Sequence, residues 1–447
     1  MWYYISKRIL IAIPTLLLIS VGIFALSCLV PGDPIERELN SEFEIKPDVA
    51  VSDALYKIKA HELNYDLPVF YITLSSLAYP DTLYKIIRRD QRTMVEDMIA
   101  DYGNAASVLN YRNAILSELA QKNSDTVGLN TLKFLLVESD RKPMAYQIEG
   151  FRKNNTFPEV VTAYDNLKKS SKLYLCYIPT FHIYGINNQY HRWLSKFLSG
   201  DFGKTLREGI PVTQKLKQPF FLTFTLTFLS LLLCIPVALF VGFYTAAHHE
   251  SKLTQRFING TMALYATPTF WIATLAVLFL TTPQYHLKIF PSVGLPDIDK
   301  DLALFSKMLA YFPYLLLPVL CMSIHPMVVL IRHFYNALLN TLHEDYIRTA
   351  RAKGLTVLQA LENHSLRAAL MPFITVVGQI IPSAITGTFI VEYIFNIPGM
   401  GRTAYEALQG RDWSVAFAIF TWSAVVLVVV NLITDIIYTF LNPKVRY

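Results

Sequence analysis

Charged residues and cysteines are scarce in this sequence. Asp, Glu, Lys and Arg make up 17% of the 447 residues, whereas soluble domains carry about 25%. Hydrophobic residues make up 53% and are concentrated in long runs. This composition excludes an ordinary soluble domain and indicates a protein that crosses a membrane several times. The net charge of +6 comes with basic residues beside the apolar runs, which is typical of anchoring at a membrane surface and not of nucleic-acid binding.

Signals for disulfides and metal sites are weak. The sequence has four cysteines, and three of them lie inside apolar runs. The fourth, Cys176, lies in a long polar segment that contains no second cysteine to pair with. His61-Glu62 and His343-Glu344 begin like the helix of a zinc protease, but the second histidine is missing from both. We therefore expect no metal site.

Signals for catalysis are equally weak. The stretch at 200–205 ends in Gly-Lys-Thr, like a nucleotide-binding P-loop. A P-loop also requires a glycine five residues before its second glycine, where this chain has Leu198. The sequence offers no Ser, His and Asp grouping that would indicate a nucleophile. We therefore expect a protein that is not an enzyme and has no cofactor of its own.

Six apolar runs are long enough to cross the ~30 Å core of a bilayer, which takes about 20 residues of helix. They cover residues 9–30, 220–247, 262–281, 311–331, 370–390 and 413–441. The third and fourth contain Pro268, Pro313 and Pro318, and helices in membranes tolerate proline better than helices in water. The first run could also be a signal peptide, but it is too long and no small-residue cleavage motif follows. We expect it to remain as a span.

Basic residues near the span ends predict the orientation, because they collect on the cytoplasmic side. A cytoplasmic N-terminus places the following residues on that side: Lys7, Arg8, Lys252, Arg256, Arg332, Arg348, Arg351, Lys353, Arg367, Lys444 and Arg446. The short outer loops keep fewer basic residues, including Arg402 and Arg411, and three aspartates offset the lysines near residue 300. The balance predicts that both termini are cytoplasmic.

A long segment separates the first two spans, at about 31–219. Long domains cross membranes regardless of charge, so this segment is placed outside. Apolar residues at helical spacing, such as Met94, Met98 and Tyr102, predict helices. Two interpretations stay open: a small helical domain with its own core, or a docking surface for a solute-binding protein.

The most informative polar stretch lies between spans four and five, at 344–355. Its acids, Glu344 and Asp345, come first and its bases, Arg351 and Lys353, come last, which suits the dipole of a short helix. Gly354 is suited to end that helix. This pattern is typical of a short cytoplasmic helix that a partner can grip, but a solvated charged loop fits it equally well.

At these residues the sequence resembles the permease subunits of bacterial dipeptide and oligopeptide ABC importers. The cytoplasmic motif is Asp-Tyr-Ile-Arg-Thr-Ala-Arg-Ala-Lys-Gly-Leu at 345–355, followed by residues 364–372. Further matching motifs lie at 31–34, 199–203, 391–392, 395–402, 411–412, 431–438 and 441–447. Matching blocks cover 1–40 and about 185–447. The segment at about 79–184 departs from the family and looks inserted.

The resemblance implies a fold and a domain order. The fold class is all-α, a polytopic transmembrane bundle of about six spans of the type I ABC importer kind, with an inserted helical extracytoplasmic domain. The expected domains are a first transmembrane helix at 1–30, an extracytoplasmic region at 31–218 and a five-helix permease core at 219–447. The core contains a cytoplasmic coupling helix at about 343–366.

The resemblance also implies a function. Two permeases, two ATP-binding subunits and an extracytoplasmic solute-binding protein would work together in the bacterial inner membrane, with ATP hydrolysis on a separate chain and alternating access of the bundle. The residues expected to contact the ATPase or transmit its motion are Glu344, Asp345, Tyr346, Arg348, Thr349, Ala350 and Gly354. The cargo would be di- or oligopeptides, with nickel, glutathione or another small solute as the alternative.

Two rival hypotheses come from other classes. An ion-coupled secondary transporter would need intramembrane charges or broken helices in paired repeats, and such charges are scarce. Asp435 is one intramembrane acid, one helical turn from Asn431, for which we expect a structural hydrogen bond. The second rival is a membrane-anchored receptor or scaffold that works through its outer domain.

Overall fold

The computed structural model describes residues 2–43, 53–121, 126–282, 289–296, 304–386 and 388–441. Lys444, Arg446 and the C-terminal motif from residue 442 onward lie outside the described residues. The chain divides into two compact units. We call Met1–Leu29 with Asp201–Tyr447 the membrane unit, and Val30–Gly200 the intervening unit.

The membrane unit is helical. Its first helix is α1 (Trp2–Cys28), and helices α2 to α9 belong to the intervening unit. The membrane unit continues with α10 (Val212–Ala247), α11 (Lys252–Ala266), α12 (Thr269–Leu280), α13 (Leu304–Leu342), α14 (Asp345–Ala352), α15 (Val357–Ala360), α16 (Leu366–Thr386), α17 (Thr388–Ile394), α18 (Met400–Gln409) and α19 (Trp413–Leu441). Among the described residues, five stretches are long and apolar enough to cross a membrane, and they lie in α1, α10, α13, α15 to α16, and α19. The helical class predicted from the sequence is confirmed.

The third predicted span, at 262–281, is not one straight helix in the structure. Helices α11 and α12 meet at an angle of 92° and together form a broken span or a re-entrant loop. Thr267 between them is extended, with φ −77° and ψ 122°. Pro268 explains the break, because proline disfavours helical backbone at the preceding residue and has no N–H to continue the ladder.

Small side chains bring the central helices of the membrane unit together. A Cβ atom on Gly242 of α10 would lie 2.9 Å from the Phe334 ring of α13, so the glycine permits this close approach. The Cys234 thiol donates to the Ser323 carbonyl at 3.2 Å. Phe334 in turn meets Phe373 of α16 with ring centroids 5.1 Å apart. The three helices form one packed core.

The first and last spans are joined by charge as well as by packing. Arg8 of α1 lies 3.1 Å from the carboxylate of Asp435 in α19. The structure therefore gives Asp435 a partner on another span, and its expected hydrogen bond with Asn431 stays a prediction.

The described residues of the intervening unit form eight α-helices and one small sheet. Its elements are α2 (Pro34–Phe43), α3 (Asp53–Glu62), β1 (Ile72–Ser76), α4 (Arg89–Tyr102), α5 (Ala105–Gln121), α6 (Thr126–Leu135), α7 (Arg141–Lys153), α8 (Pro158–Lys169), β2 (Pro179–Ile183) and α9 (Gln189–Leu198). A buried core that includes Met98, Tyr111 and Ile148 holds α4 to α8 together. This unit therefore has a core of its own.

The sheet was not predicted from the sequence. Strands β1 and β2 pair antiparallel, with Ile72 opposite Ile183 and Leu74 opposite Phe181. Apolar and polar residues alternate along both strands, which is the period of a strand and not of a helix. Helices α4 to α8 all lie between the two strands in the sequence, so the chain enters and leaves this helical segment through one strand pair.

The Pro-Gly-Asp-Pro motif after α1 organises the start of the intervening unit. Gly32 has φ +95°, and its carbonyl accepts a hydrogen bond from Arg89 at 2.8 Å. The Asp33 carboxylate accepts from the Ile35 N–H at 2.8 Å and from the Tyr56 hydroxyl at 2.5 Å. The motif is thus a helix cap that also fastens α2 to α3.

Candidate functional site

The candidate coupling helix, α14, begins one residue after its flanking acid. Glu344 is extended, and its carbonyl accepts hydrogen bonds from the N–H groups of Ile347 and Arg348 at 3.0 and 3.1 Å. Asp345 occupies the first turn. Two carboxylates at the N-terminus stabilise the helix because they face the positive end of its dipole.

The end of α14 is set by Gly354. The Leu355 N–H donates to the Ala350 carbonyl at 3.4 Å, and the Gly354 N–H donates to the Arg351 carbonyl at 3.0 Å. This pair of bonds is the Schellman motif, which requires a left-handed residue at the glycine position. Gly354 has φ +93°, so the helix stops there because glycine adopts this conformation without strain.

Helix α14 has one inward and one outward face. Ile347 is 0% exposed and Ala350 is also buried, and both pack inside this chain. Asp345, Tyr346, Arg348 and Thr349 are exposed. The structure therefore places the seven predicted residues on one short segment but divides them: Ala350 holds the helix to the bundle, and the others are accessible or shape its ends.

The outward face of α14 carries mixed charge and one aromatic ring. Arg348 lies 3.6 Å from Asp345, and both are highly exposed, so this pair contributes at most about 1 kcal/mol to stability. Burial, and then the nearby Glu344 carboxylate, raise the pKa of the Tyr346 phenol. Tyr346 therefore stays a neutral hydrogen-bonding aromatic side chain at physiological pH.

A second set of caps connects α14 to the fifth span. The Thr356 hydroxyl accepts from the Gln359 N–H at 3.3 Å, and the Gln359 side chain accepts from the Thr356 N–H at 3.0 Å. This capping box starts α15. A π-helical turn at Leu361–Ser365 follows and leads directly into α16. Only the four residues 353–356 separate the end of α14 from the start of α15.

A buried carboxylate organises the loop after the fifth span. Glu392 is 0% exposed. It accepts hydrogen bonds from the Thr223 hydroxyl at 2.6 Å and from the Arg402 N–H at 3.0 Å. The Thr223 oxygen also accepts from the Met400 N–H at 2.8 Å. Two orphan N–H groups at the start of α18 are thereby satisfied by side chains from α17 and α10.

The glycines of this loop allow α18 to lie close to α17. A Cβ atom on Gly399 would lie 2.3 Å from the Glu392 carboxyl carbon. A Cβ atom on Gly401 would lie 2.6 Å from the Phe389 backbone. The Pro-Gly-Met-Gly stretch is therefore glycine-rich because α18 approaches α17 closely, and not because it binds a phosphate.

A second carboxylate fastens the hairpin before the second span. Asp412 accepts from the Leu206 N–H at 3.0 Å and from the Val415 N–H at 3.3 Å. Within the hairpin, the Thr205 N–H donates to the Ile210 carbonyl and the Val212 N–H donates to the Gly203 carbonyl. The stretch at 200–205 that resembles a P-loop is thus part of a hairpin docked on the cap of α19.

The partners of Glu392, Asp412 and Asp435 are the features that sequence reasoning missed. Each of these acids has one partner far away in the chain, at Thr223, at Leu206 or at Arg8. The signal that was available is the rarity of acids at the ends of apolar runs, since a buried acid must find donors.

Comparisons with known proteins agree with this architecture. Residues 235–447 match the family model described as binding-protein-dependent transport system inner membrane component. The oligopeptide transport system permease protein AppB of Bacillus subtilis (strain 168) is 34% identical over 269 residues, which cover 59% of this chain and 83% of that protein. The dipeptide transport system permease protein DppB of Escherichia coli (strain K12) is 28% identical over 276 residues, covering 58% of this chain and 80% of that protein.

A third relative gives the same result. The DppB protein of Haemophilus influenzae is 30% identical over 266 residues, covering 57% of this chain and 80% of that protein. The resemblance inferred from the motifs is confirmed. The chain belongs to the family of binding-protein-dependent transport system inner membrane components, where it is similar to the permeases of oligopeptide and dipeptide transport systems.

Proposed function

We propose that this chain is one of two permeases that form the pathway of an ATP-driven importer of di- or oligopeptides. ATP is hydrolysed on a separate chain, which grips α14. The observation that carries the proposal is the outward face of α14, where Tyr346, Arg348 and their neighbours are exposed on a helix that a Schellman turn at Gly354 ends. The peptide cargo is inferred from the names of the relatives.

The contacts of α14 suggest how motion reaches the membrane. A push on the exposed residues is carried inward by Ile347, which is completely buried. The turn at Gly354 and the capping box at Thr356 join α14 to α15, which continues into the start of α16. ATP binding would then bias the bundle between inward-open and outward-open arrangements, because the ATPase contacts differ in the two states.

The proposal includes partners and an orientation. The assembly comprises a second permease, two ATP-binding subunits and an extracytoplasmic solute-binding protein, in the bacterial inner membrane. Both termini and α14 are cytoplasmic, and the intervening unit is outside. On that side it is available either as an independent small domain or as part of the surface that receives the solute-binding protein.

Cross-linking in native membranes tests the grip on α14. A cysteine at Tyr346, in a chain whose native cysteines are replaced, is treated with a short bifunctional reagent. We expect one cross-linked product that contains an ATP-binding protein, with a yield that changes on ATP addition. A cysteine at Tyr146 of α7, which is more exposed than Tyr346, is the control and should give none. A helix that touches only lipid or solvent would contradict the proposal.

Uptake in proteoliposomes tests the cargo and the energy source. The complex purified from its host, with its binding protein, is supplied with radiolabelled di- and oligopeptides. We expect uptake that requires internal ATP and is unaffected by collapse of the ion gradients. Uptake that survives without ATP but stops with the gradient would identify a secondary transporter instead.

A further inference from the structure

The small sheet of the intervening unit has its apolar face turned outward. Ile72, Leu74, Phe181 and Ile183 share one face by register, and they are 53%, 66%, 70% and 79% exposed. Sheets in water normally do the reverse and bury the apolar face. We call these four residues the sheet face.

The opposite side of the sheet is polar and half-buried. It carries Thr73, Ser75, Thr180 and His182. Ser75 Oγ and His182 Nε2 are buried with no hydrogen-bond partner among the described residues. A one-residue change of register would bury the apolar side instead, so the observed arrangement is costly unless something apolar covers the sheet face.

The chain segment around β2 and α9 is basic. Residues 166–200 contain no acid, and their basic residues are Lys168, Lys169, Lys172, Arg192 and Lys196. The same stretch exposes large apolar and aromatic side chains beyond the sheet, including Tyr174, Tyr177 and Ile186. Apolar and aromatic side chains mixed with lysine are typical of segments that lie in a membrane interface.

Helix α9 continues this surface. Tyr190 lies against Phe70 and Tyr71 beside β1, with centroids 5.0 and 5.7 Å apart. Trp193 and Phe197 follow at one-turn spacing and stack at 5.7 Å. Both are only partly buried, whereas Arg192 and Lys196 are exposed. An amphipathic helix with tryptophan on one side and basic residues on the other binds at the lipid headgroup boundary.

The chain connections keep this surface near a bilayer. Only residues 29–33 separate the end of α1 from the start of α2, and residues 199–211 separate α9 from α10. Both α1 and α10 contain spans. The intervening unit is therefore tethered at both ends by short connections to membrane helices, which favours lipid over a freely diffusing partner as the cover.

We infer that the sheet face and α9 form a membrane-binding surface, which rests on the outer headgroup layer and takes anionic lipid. Phe181, Ile183 and Leu74 enter the boundary between headgroups and acyl chains. The basic residues of 166–200 contact phosphate groups, and the polar side of the sheet is turned away from lipid. The inserted helices α4 to α8 are thereby held at the membrane surface at their point of entry.

Site-directed spin labelling of the full-length chain tests this surface. Labels are placed at Phe181→Cys and Ile183→Cys, in a chain whose native cysteines are replaced, in nanodiscs of phosphatidylethanolamine and phosphatidylglycerol. Collision rates are measured with oxygen, which concentrates in lipid, and with a water-soluble nickel chelate. Tyr146→Cys on α7 is the control, because Tyr146 is 78% exposed.

We expect the sheet-face labels to collide several-fold more with oxygen and several-fold less with the chelate than the Tyr146 label does. Replacing phosphatidylglycerol by phosphatidylcholine should weaken this difference. Chelate collisions equal to those of the control would show a solvated face and overturn the inference. Low collision rates with both reagents would show that protein covers the face, which also overturns it.

A measurement on the unmodified chain guards against a labelled variant that does not fold. Phosphatidylglycerol with a photoreactive group in its acyl chain is included in the nanodiscs, and adducts are located by peptide mapping. We expect adducts within residues 171–198 and none within α7. Adducts confined to the transmembrane helices would overturn the inference, and neither outcome depends on whether the complex transports peptides.

Discussion

Thr223 donates a hydrogen bond to Glu392 at 2.6 Å and accepts one from the Met400 N–H at 2.8 Å. One hydroxyl of the second span therefore connects a buried acid to the start of α18. Because the carboxylate also accepts from the Arg402 N–H, three elements of the membrane unit meet at one charge. Buried acids of this kind persist only where donors surround them.

Glu392→Gln is expected to destabilise the protein. The amide keeps the shape, but its NH2 end faces the Thr223 hydroxyl or the Arg402 N–H, and one hydrogen bond to a charged acceptor is lost, at a cost of about 1.5–3 kcal/mol. Thermal unfolding in detergent measures the effect. Glu406→Gln is the matched control, since Glu406 pairs with Arg402 at the surface and its loss costs less than about 1 kcal/mol. Equal melting temperatures for the two variants would refute the importance of the buried charge.

Gly399→Ala is expected to be severely destabilising. Its Cβ atom would lie 2.3 Å from the Glu392 carboxyl carbon, so α18 must move or the carboxylate must leave its donors. Gly260→Ala in α11 is the control, because nothing lies within 4 Å of a Cβ there, and alanine in a helix gains up to about 1 kcal/mol. The two variants should differ in yield of folded protein by size-exclusion chromatography. A normal yield for Gly399→Ala would argue against the close contact.

Gly354→Val is expected to uncouple ATP hydrolysis from transport while the protein still inserts. A β-branched residue at φ +93° is strained by about 1–3 kcal/mol, so the turn after α14 changes shape without a clash in the core. Gly354→Asn is the control, because asparagine is enriched among non-glycine residues in left-handed backbone. The ATPase rate and the uptake rate of the reconstituted complex are measured for both variants. Uptake by the valine variant at the wild-type rate would count against the role of this turn.

We expect Arg348→Glu to weaken binding of the ATP-binding subunit and Ile347→Ala to destabilise the protein. Arg348 is exposed and Ile347 is 0% exposed. The first should leave the melting temperature unchanged and lower co-purification of the ATP-binding subunit. The second should cost about 2–5 kcal/mol of stability by leaving a cavity. Loss of stability in Arg348→Glu, with normal co-purification, would show that α14 has no partner on its outward face.

Arg8→Ala and Asp435→Asn are expected to have non-additive effects on the stability of the protein. Because both residues of this ion pair lie in candidate membrane spans, we expect a favourable coupling free energy in a double-mutant cycle, at least equal to the ~0.2–1 kcal/mol of a surface pair. Thermal unfolding of the two single variants and the double variant measures it. Additive effects would show that the first and last spans are held by packing alone.

The sequence motifs predicted the position and ends of α14 well, because caps and glycine stops depend on neighbouring residues. They did not predict the break beside Pro268, where α11 and α12 meet at 92°. The strand pair was missed because β1 and β2 are short and separated by about a hundred residues that carry their own helical pattern. The inward position of Ala350 also required the structure.

The amino-acid sequence alone determined the class of this protein, its apolar runs and the residues that begin and end its helices. Hydropathy and capping each depend on a few neighbouring residues. Only the tertiary structure decided which residue meets which across the bundle: Thr223 with Glu392, Leu206 with Asp412, and Arg8 with Asp435. It also decided that the small sheet turns its apolar side outward. Such contacts depend on how helices and strands far apart in the chain pack in space, and no local pattern encodes that arrangement.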